Sequence, residues 1–211
     1  MILFSTLKSL CTLLQQSLLL SLASLIIATS SYAANILILG DSLSAAYGIS
    51  EEQGWVQLLQ DDLPQHHIIN ASVSGETSSG ALRRLPALFT DQTIDLVVIE
   101  LGGNDGLRGF PPQQLKENLT QLIQLSQQAN AKVLLTEIMV PPNYGPRYSQ
   151  KFNQVYQDIA SKMAVELIPF FMTDIAPKSH LMQRDSIHPN AEAQPLINQW
   201  MQPYIVKNID E

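Results

Sequence analysis

Residues 35–44 read N-I-L-I-L-G-D-S-L-S. The apolar run 36–39 is followed at once by Gly40, Asp41 and Ser42, which predicts a buried strand that ends abruptly at a turn. Such a turn would present the Ser42 hydroxyl, so we interpret Ser42 as a candidate nucleophile and Asp41 as support for the turn. The alternative is an ordinary turn in which Ser42 caps a helix.

A nucleophilic serine needs partners from elsewhere in the chain. Its hydroxyl is weakly reactive unless a base takes the proton, a carboxylate orients that base, and donors stabilise the oxyanion. The stretch also lacks the second glycine of the G-x-S-x-G elbow of α/β-hydrolases, because Ser44 stands in that position. We therefore expect a different scaffold, in which Ser42 opens a helical segment.

Short apolar runs alternate with amphipathic segments along the rest of the chain. The runs at 36–39, 68–73, 94–101, 132–138 and 165–171 predict strands. Segments with helical spacing lie at 54–63, 77–89, 115–129, 152–163 and 189–206. This alternation predicts parallel βαβ units in an α/β fold, a three-layer αβα sandwich.

The composition is that of one acidic domain. The chain has 211 residues and a formal net charge of -7, so it can bury one core and is short for two. No run of Lys and Arg is dense enough to follow a phosphate backbone, so we expect no nucleic-acid partner.

Residues 1–33 have the composition of a secretory signal peptide. They contain one basic residue, Lys8, no acidic residue, and an apolar block at 18–28, with small residues Ser31 and Ala33 before a predicted cut. The alternative is an uncleaved membrane anchor, for which the block is short. Cleavage would leave a single domain over residues 34–211, periplasmic or secreted, without a stable membrane anchor. It would also remove Cys11, the one cysteine, and with it any disulfide or thiol nucleophile.

A second motif, D-S-I-H-P, spans residues 185–189. At this spacing the Asp185 oxygens can reach the near ring nitrogen of His188, which leaves the other nitrogen to face a serine. Pro189 is suited to begin the final helix. The alternatives are a helix cap at Asp185 and a solvent-exposed His188. A metal site is not expected, because further ligands at comparable spacing are missing.

Two glycine-containing turns supply candidate oxyanion donors. G-G-N-D-G, residues 102–106, follows a long apolar run, and its Asn104 amide could donate to an oxyanion. S-G-E-T, residues 74–77, follows the second run, and the Gly75 N–H could be another donor. Each could equally be a plain turn.

The longest irregular stretch, residues 139–146, reads M-V-P-P-N-Y-G-P. Its prolines and its glycine disfavour a helix. Because loops at the carboxyl ends of parallel strands line the ligand crevice, we interpret it as a pocket wall that includes Pro142, Asn143 and Tyr144. A spacer is the alternative.

Taken together, these motifs resemble the SGNH, or GDSL, hydrolase family, named for Ser, Gly, Asn and His in four blocks. The resemblance covers the chain after the signal segment, in order, through Ser42, Gly75, Asn104 and His188 with Asp185. It implies a flavodoxin-like fold with strand order 2-1-3-4-5. It also implies a Ser42–His188–Asp185 triad and an oxyanion hole made by the Ser42 and Gly75 N–H groups and the Asn104 side chain.

The resemblance further implies hydrolysis of small acyl esters, acyl thioesters and lysophospholipids, with no cofactor. It implies a mobile loop that adjusts to an acyl chain, formed by Gly106, Leu107, Arg108, Gly109, Phe110 and Pro111. The alternatives are a carbohydrate acetylesterase of the same family and a non-catalytic acyl- or lipid-binding protein. We expect a monomer.

Overall fold

The computed structural model describes residues 33–90 and 92–210. The predicted signal peptide falls almost entirely on residues 1–32, which lie outside the described residues, so it stays a prediction. Among the described residues, no helix is both long enough and apolar enough to cross a membrane.

The sheet has the predicted number of strands and the predicted strand order. Its five strands are β1 (Asn35–Gly40), β2 (His67–Asn70), β3 (Leu96–Glu100), β4 (Lys132–Thr136) and β5 (Glu166–Ile168). All neighbours pair in parallel in the order β2-β1-β3-β4-β5, which confirms the flavodoxin-like topology. Gly40 at the end of β1 lies opposite Glu100 at the end of β3, so the two strands end level with each other.

Helices cover both faces of the sheet. They are α1 (Trp55–Asp62), α2 (Ser78–Leu88), α3 (Gly103–Leu107), α4 (Pro112–Gln128), α5 (Pro146–Met163) and α6 (Gln194–Asp210). Alternate residues of a strand point to opposite faces, so Leu37 and Leu39 join the core with α2, α4 and α5. Ile36 and Ile38 join the other core with α1 and α6. The three-layer sandwich is confirmed.

The segment after β1 differs from the prediction. Residues 42–48 form consecutive turns, so the expectation that Ser42 opens a helix is wrong. The Asp41 carbonyl accepts hydrogen bonds from the N–H groups of Ser44 and Ala45, as at a helix start. Ala46 then adopts a φ of 53°, and this left-handed conformation ends the helical winding.

Two helix starts also differ. α5 begins at Pro146, six residues earlier than its apolar spacing suggested, because proline is well suited to the first helical turn. The last helix does not begin at Pro189, which pairs with Met182 in an isolated antiparallel bridge. Instead the Asn190 side chain accepts hydrogen bonds from Glu192 N and Ala193 N, and caps a short 3₁₀ turn (Ala191–Ala193) that leads into α6.

Candidate active site

The structure brings Ser42, His188 and Asp185 together in one hydrogen-bonded row, although Ser42 is far from the other two in sequence. His188 Nε2 lies 2.9 Å from Ser42 Oγ, and His188 Nδ1 lies 2.6 Å from Asp185 Oδ2. An ionised Asp185 can only accept, so the Nδ1 proton points to it and Nε2 is free to accept from the serine hydroxyl. The predicted nucleophile, base and carboxylate therefore have the relative arrangement that acyl transfer requires.

We call residues 185–188 the histidine turn, and it is closed by its own aspartate. Asp185 Oδ1 accepts hydrogen bonds from Ile187 N and His188 N, each at 3.0 Å. Partial burial opposes ionisation of Asp185, but these bonds and the His188 ring outweigh it and lower the pKa of Asp185 to about 2. Asp185 is therefore a carboxylate at any pH at which the protein would act.

We call residues 41–48 the serine turn, and buried carboxyl groups hold it. Asp41 Oδ1 accepts from Leu43 N at 3.1 Å, and Glu100 Oε2 accepts from Asp41 N at 3.3 Å and from Ser44 Oγ at 2.7 Å. Burial raises the pKa of Asp41 to about 6 against hydrogen bonds from Leu43 and Asn104. Asp41 thus supports the turn, as the sequence suggested.

Asn104 lies beside the candidate nucleophile. Its side-chain Nδ2 donates to Asp41 Oδ2 at 3.0 Å, and both residues line the same cavity as Ser42. One amide hydrogen is used by Asp41, which fixes the direction of the other. The same aspartate therefore orients both the serine turn and a candidate oxyanion donor.

Gly75 lies on a neighbouring loop that is tied to α3. Its φ is 78°, a left-handed conformation that favours glycine, and a Cβ there would meet nothing within 4 Å. Arg108 Nη2 donates to the Gly75 carbonyl at 3.0 Å. Deeper in the protein, the Asp105 carboxylate accepts from both Ser78 N and Ser78 Oγ. These contacts hold the Gly75 loop against the segment that carries Asn104.

An apolar cavity of about 450 Å³ opens beside Ser42. The loops after β1, β3, β4 and β5 supply its walls, as expected for the carboxyl edge of an open parallel sheet. Its apolar lining includes Leu43, Leu107, Ile138, Met139, Val140, Pro141, Phe170, Met172, Ala176, Pro177, Met182 and Ile187.

Comparison with known proteins identifies the family. Residues 38–195, most of the chain, match the GDSL-like Lipase/Acylhydrolase family. The chain belongs to this family.

Relatives and solved structures agree with that assignment. The chain is 47% identical over 193 residues to esterase TesA of Pseudomonas aeruginosa, across 88% of this chain and 96% of the relative. It is 48% identical over 167 residues to thioesterase 1/protease 1/lysophospholipase L1 of Escherichia coli K12, across 79% and 80%. The psychrotrophic esterase EstA from Pseudoalteromonas sp., solved with the inhibitor monoethylphosphonate, superposes with a TM-score of 0.81 at 54% identity, covering 84% of this chain and 99% of that one.

Of residues 106–111, which family resemblance implied to be a mobile loop, Gly106 and Leu107 end α3 in this GDSL-like protein, and Arg108 and Gly109 form a turn. Only Leu107 of these six residues lines the cavity. Gly106 is buried within α3, where a Cβ would collide with Val140 and Phe152. Arg108 contacts the Gly75 loop instead, and Gly109, Phe110 and Pro111 lie outside the cavity lining.

Only part of residues 139–146, the predicted pocket wall, lies at the cavity. Met139, Val140 and Pro141 line the cavity, but Asn143 and Tyr144 do not. The backbone of Pro142 to Tyr144 forms a 3₁₀ turn, and the Tyr144 hydroxyl donates to the Leu107 carbonyl at 2.7 Å. Tyr144 therefore supports a lining residue from behind.

Two features of the site were missed from the sequence. The loop after β5, from Phe170 to Ile187, supplies much of the apolar wall. The rule applied to the loop after β4 holds equally for β5 and would have found it. The Tyr47 ring also packs on His188, with ring centroids 4.3 Å apart, and no sequence signal marks it. Among the described residues, no group of three or more His, Cys, Asp or Glu could hold a metal ion.

Proposed function

We propose that this chain is a serine hydrolase of carboxylic esters and thioesters that forms an acyl-enzyme on Ser42. The observation that carries the proposal is the row Ser42 Oγ–His188–Asp185, whose nucleophilic end lines an apolar cavity. A fold alone would not support the function, because function depends on the site.

The reaction takes place in two acyl transfers. His188 Nε2 takes the proton of Ser42 as Oγ attacks the acyl carbonyl, and it then protonates the leaving alkoxide or thiolate. Water attacks the acyl-enzyme by the same steps and releases the carboxylic acid and free Ser42. Asp185 stays ionised throughout and stabilises the imidazolium that forms at each transfer.

Three donors are proposed for the oxyanion. They are the backbone N–H groups of Ser42 and Gly75 and the remaining amide hydrogen of Asn104. The support is that Asn104 shares the cavity wall with Ser42 and that the Gly75 loop is tied to the Asn104 segment. Donors fixed in advance stabilise the oxyanion without reorganisation during the reaction.

The cavity favours an acyl chain as the part of the substrate that is bound. Its volume of about 450 Å³ lies in the lower half of the usual range for ligand pockets, roughly 300–1,000 Å³. The names of the relatives include esterase, thioesterase and lysophospholipase. We therefore propose acyl esters, acyl thioesters and lysophospholipids as the substrate class, with no cofactor.

We also propose that the enzyme acts in the periplasm or after secretion, as a monomer without a stable membrane anchor. The support for the compartment is the composition of residues 1–33, with its single basic residue and apolar block.

Replacing the nucleophile tests the proposal. Ser42→Ala should lower kcat for p-nitrophenyl esters by at least about 10⁴-fold and abolish labelling by a fluorophosphonate, because no covalent intermediate can form. Ser50→Ala, an exposed serine close in sequence, is the matched control and should keep wild-type turnover and labelling.

A series of esters from acetyl to long acyl chains completes the test. Faster turnover of medium and long chains would agree with the apolar cavity, whereas good cleavage of acetyl sugars alone would favour the acetylesterase alternative. Retention of activity by a folded Ser42→Ala protein would refute the mechanism.

A further inference from the structure

A buried polar layer lies beneath the serine turn, at the ends of the central strands. Gly40 of β1 pairs with Glu100 of β3. Ile99 of β3 pairs with Leu135 of β4, and the next residues of these two strands are Glu100 and Thr136. Glu100 has no exposed surface at all. Acidic residues are rarely buried completely unless they are paired, so this one requires an explanation.

Glu100 contacts the serine turn on both sides of the nucleophile. Its Oε2 accepts from the N–H of Asp41, the residue before Ser42, and from the hydroxyl of Ser44, two residues after it. A Cβ on Gly40 would lie 2.8 Å from the same Oε2, so the strand end is packed closely against the carboxyl group. Ser42 is therefore held between two bonds to one buried oxygen.

The surroundings of Glu100 oppose a negative charge. No ion pair among the described residues includes it, and the titratable groups around it are Asp41 and the buried Tyr156. Burial and then repulsion from Asp41 raise the pKa of Glu100 well above its usual range. No cationic side chain among the described residues pairs with Glu100 to offset the cost of burying a carboxylate.

The second oxygen of Glu100, Oε1, can carry the proton of a neutral acid. Oε1 is buried and has no hydrogen-bond partner among the described residues, and the same holds for the hydroxyls of Ser72 and Thr136. Ser72 Oγ lies 2.8 Å from the position of the Gly40 Cβ that also approaches Glu100 Oε2. A proton on Oε1 would leave both hydrogen bonds that Oε2 accepts intact.

We propose that Glu100 is a positioning residue, a neutral carboxylic acid that fixes the turn carrying Ser42. This inference rests on the proposed function, because it concerns the geometry of the same nucleophile. A neutral acid can accept both hydrogen bonds without adding a negative charge, beside that of Asp41, below the developing oxyanion. The fixed turn then presents Oγ to His188 in a constant geometry.

Two substitutions test separately whether the hydrogen-bond acceptor of Glu100 and its negative charge are needed. Glu100→Gln keeps a carbonyl oxygen and is neutral, so kcat should stay within about threefold of wild type, with the same dependence on pH. Glu100→Met has similar bulk and no acceptor, so kcat should fall on the order of tenfold to a hundredfold with KM unchanged. Fluorophosphonate labelling should slow by the same factor as kcat.

A second readout does not depend on catalysis. Backbone amides of residues 41–48 should exchange with solvent faster in Glu100→Met than in Glu100→Gln or wild type, because only Met removes the acceptor. If Glu100→Met does not fold, Ser44→Ala removes one of the two bonds and should give a smaller loss of kcat with faster exchange of the same amides.

Each result decides the matter. A folded Glu100→Gln protein with little activity or an altered pH profile would show that an ionised Glu100 is needed, and would overturn the proposal. Glu100→Met with wild-type kcat and exchange would also overturn it. Failure of the proposed function has a different signature, since wild type itself would then lack hydrolysis that depends on Ser42 while the exchange difference remained.

Discussion

The serine turn lies at the ends of two buried strands, whereas the histidine turn lies in the irregular surface segment between β5 and α6. The serine turn is fixed by Asp41 and Glu100, which are 2% and 0% exposed. The histidine turn is fixed by Asp185, whose side chain is 37% exposed and bonds only within its own turn and ring. Two contacts join the turns: His188 Nε2 lies 2.9 Å from Ser42 Oγ, and the Tyr47 ring packs on the His188 ring.

The difference separates two ways of positioning a reactive group. The serine turn depends on the packing of the sheet, so changes there should alter stability and catalysis together. The histidine turn depends on the bonds of Asp185 within the turn and on two backbone bonds to the nearby Gln183, so changes to Asp185 should alter catalysis with little effect on the fold. Both halves must be correct for proton transfer, but they should fail in different ways.

The largest expected effect concerns the exposed histidine turn. Asp185→Asn should lower kcat on the order of 10³- to 10⁴-fold, because an amide does not stabilise the imidazolium and can favour the wrong tautomer. The melting temperature should change little. Asp174→Asn, another exposed aspartate in the same segment, is the control and should keep full activity. A large loss of stability in Asp185→Asn would contradict the proposed independence of this turn.

Gly40→Ala, which changes the strand end below the serine turn, should lower both stability and turnover. The new Cβ would lie 2.8 Å from Glu100 Oε2 and from Ser72 Oγ, and 2.9 Å from Ser44 Cβ. Overpacking of this kind costs about 1–3 kcal/mol, so the melting temperature should fall by about 2–12 °C, together with a loss of kcat. Thermal unfolding and ester turnover measured on the same preparation would check this. Unchanged stability with reduced turnover would mean that the turn moves independently of the sheet.

The two aspartates should have opposite effects on stability as pH changes. The folded-state pKa of Asp41 is raised to about 6, so its contribution to stability is lost as pH rises from about 3.8 to 6. The pKa of Asp185 is lowered to about 2, so its contribution is present above about 3.8 and is lost as pH falls toward 2. Urea unfolding from pH 2 to 7, with wild type compared with Asp41→Asn and Asp185→Asn, should resolve the two signs. If both aspartates changed stability in the same direction as pH rises, the proposed difference between the serine turn and the histidine turn would be wrong.

The success of sequence reasoning followed the range of each interaction. Strand and helix periodicities are local, and all five predicted strands are present. The pairing of Asp185 with His188 spans three residues, so spacing alone was enough to predict it. The contact of His188 with Ser42 spans 146 residues and was inferred from family resemblance and sheet topology. The catalytic roles stay predictions for the variants above to test.

What was missed depends on three-dimensional packing. Glu100 lies in the apolar run 94–101, which the sequence assigned to a strand without a role for this side chain, although its burial and its bonds make it a support of the serine turn. Residues 106–111 were expected to contact substrate, but Tyr148 and Tyr144 donate to carbonyls there and only Leu107 reaches the cavity. Such contacts come from side chains of α5 and its preceding turn, which no local pattern connects to α3.

The start of β1 has a practical consequence. Ala34 N donates to His66 Nδ1 at 3.1 Å and Asn35 N donates to Asp95 Oδ2 at 2.7 Å, so the chain is anchored where it enters the sheet. At about 3.3 Å per residue, the strand then carries the chain roughly 20 Å to the opposite edge, where Ser42 lies. An affinity tag or a linker to a solid support, attached ahead of residue 33, would emerge from the domain at the sheet edge opposite the cavity. Enzyme immobilised in this way should present its cavity to the substrate solution.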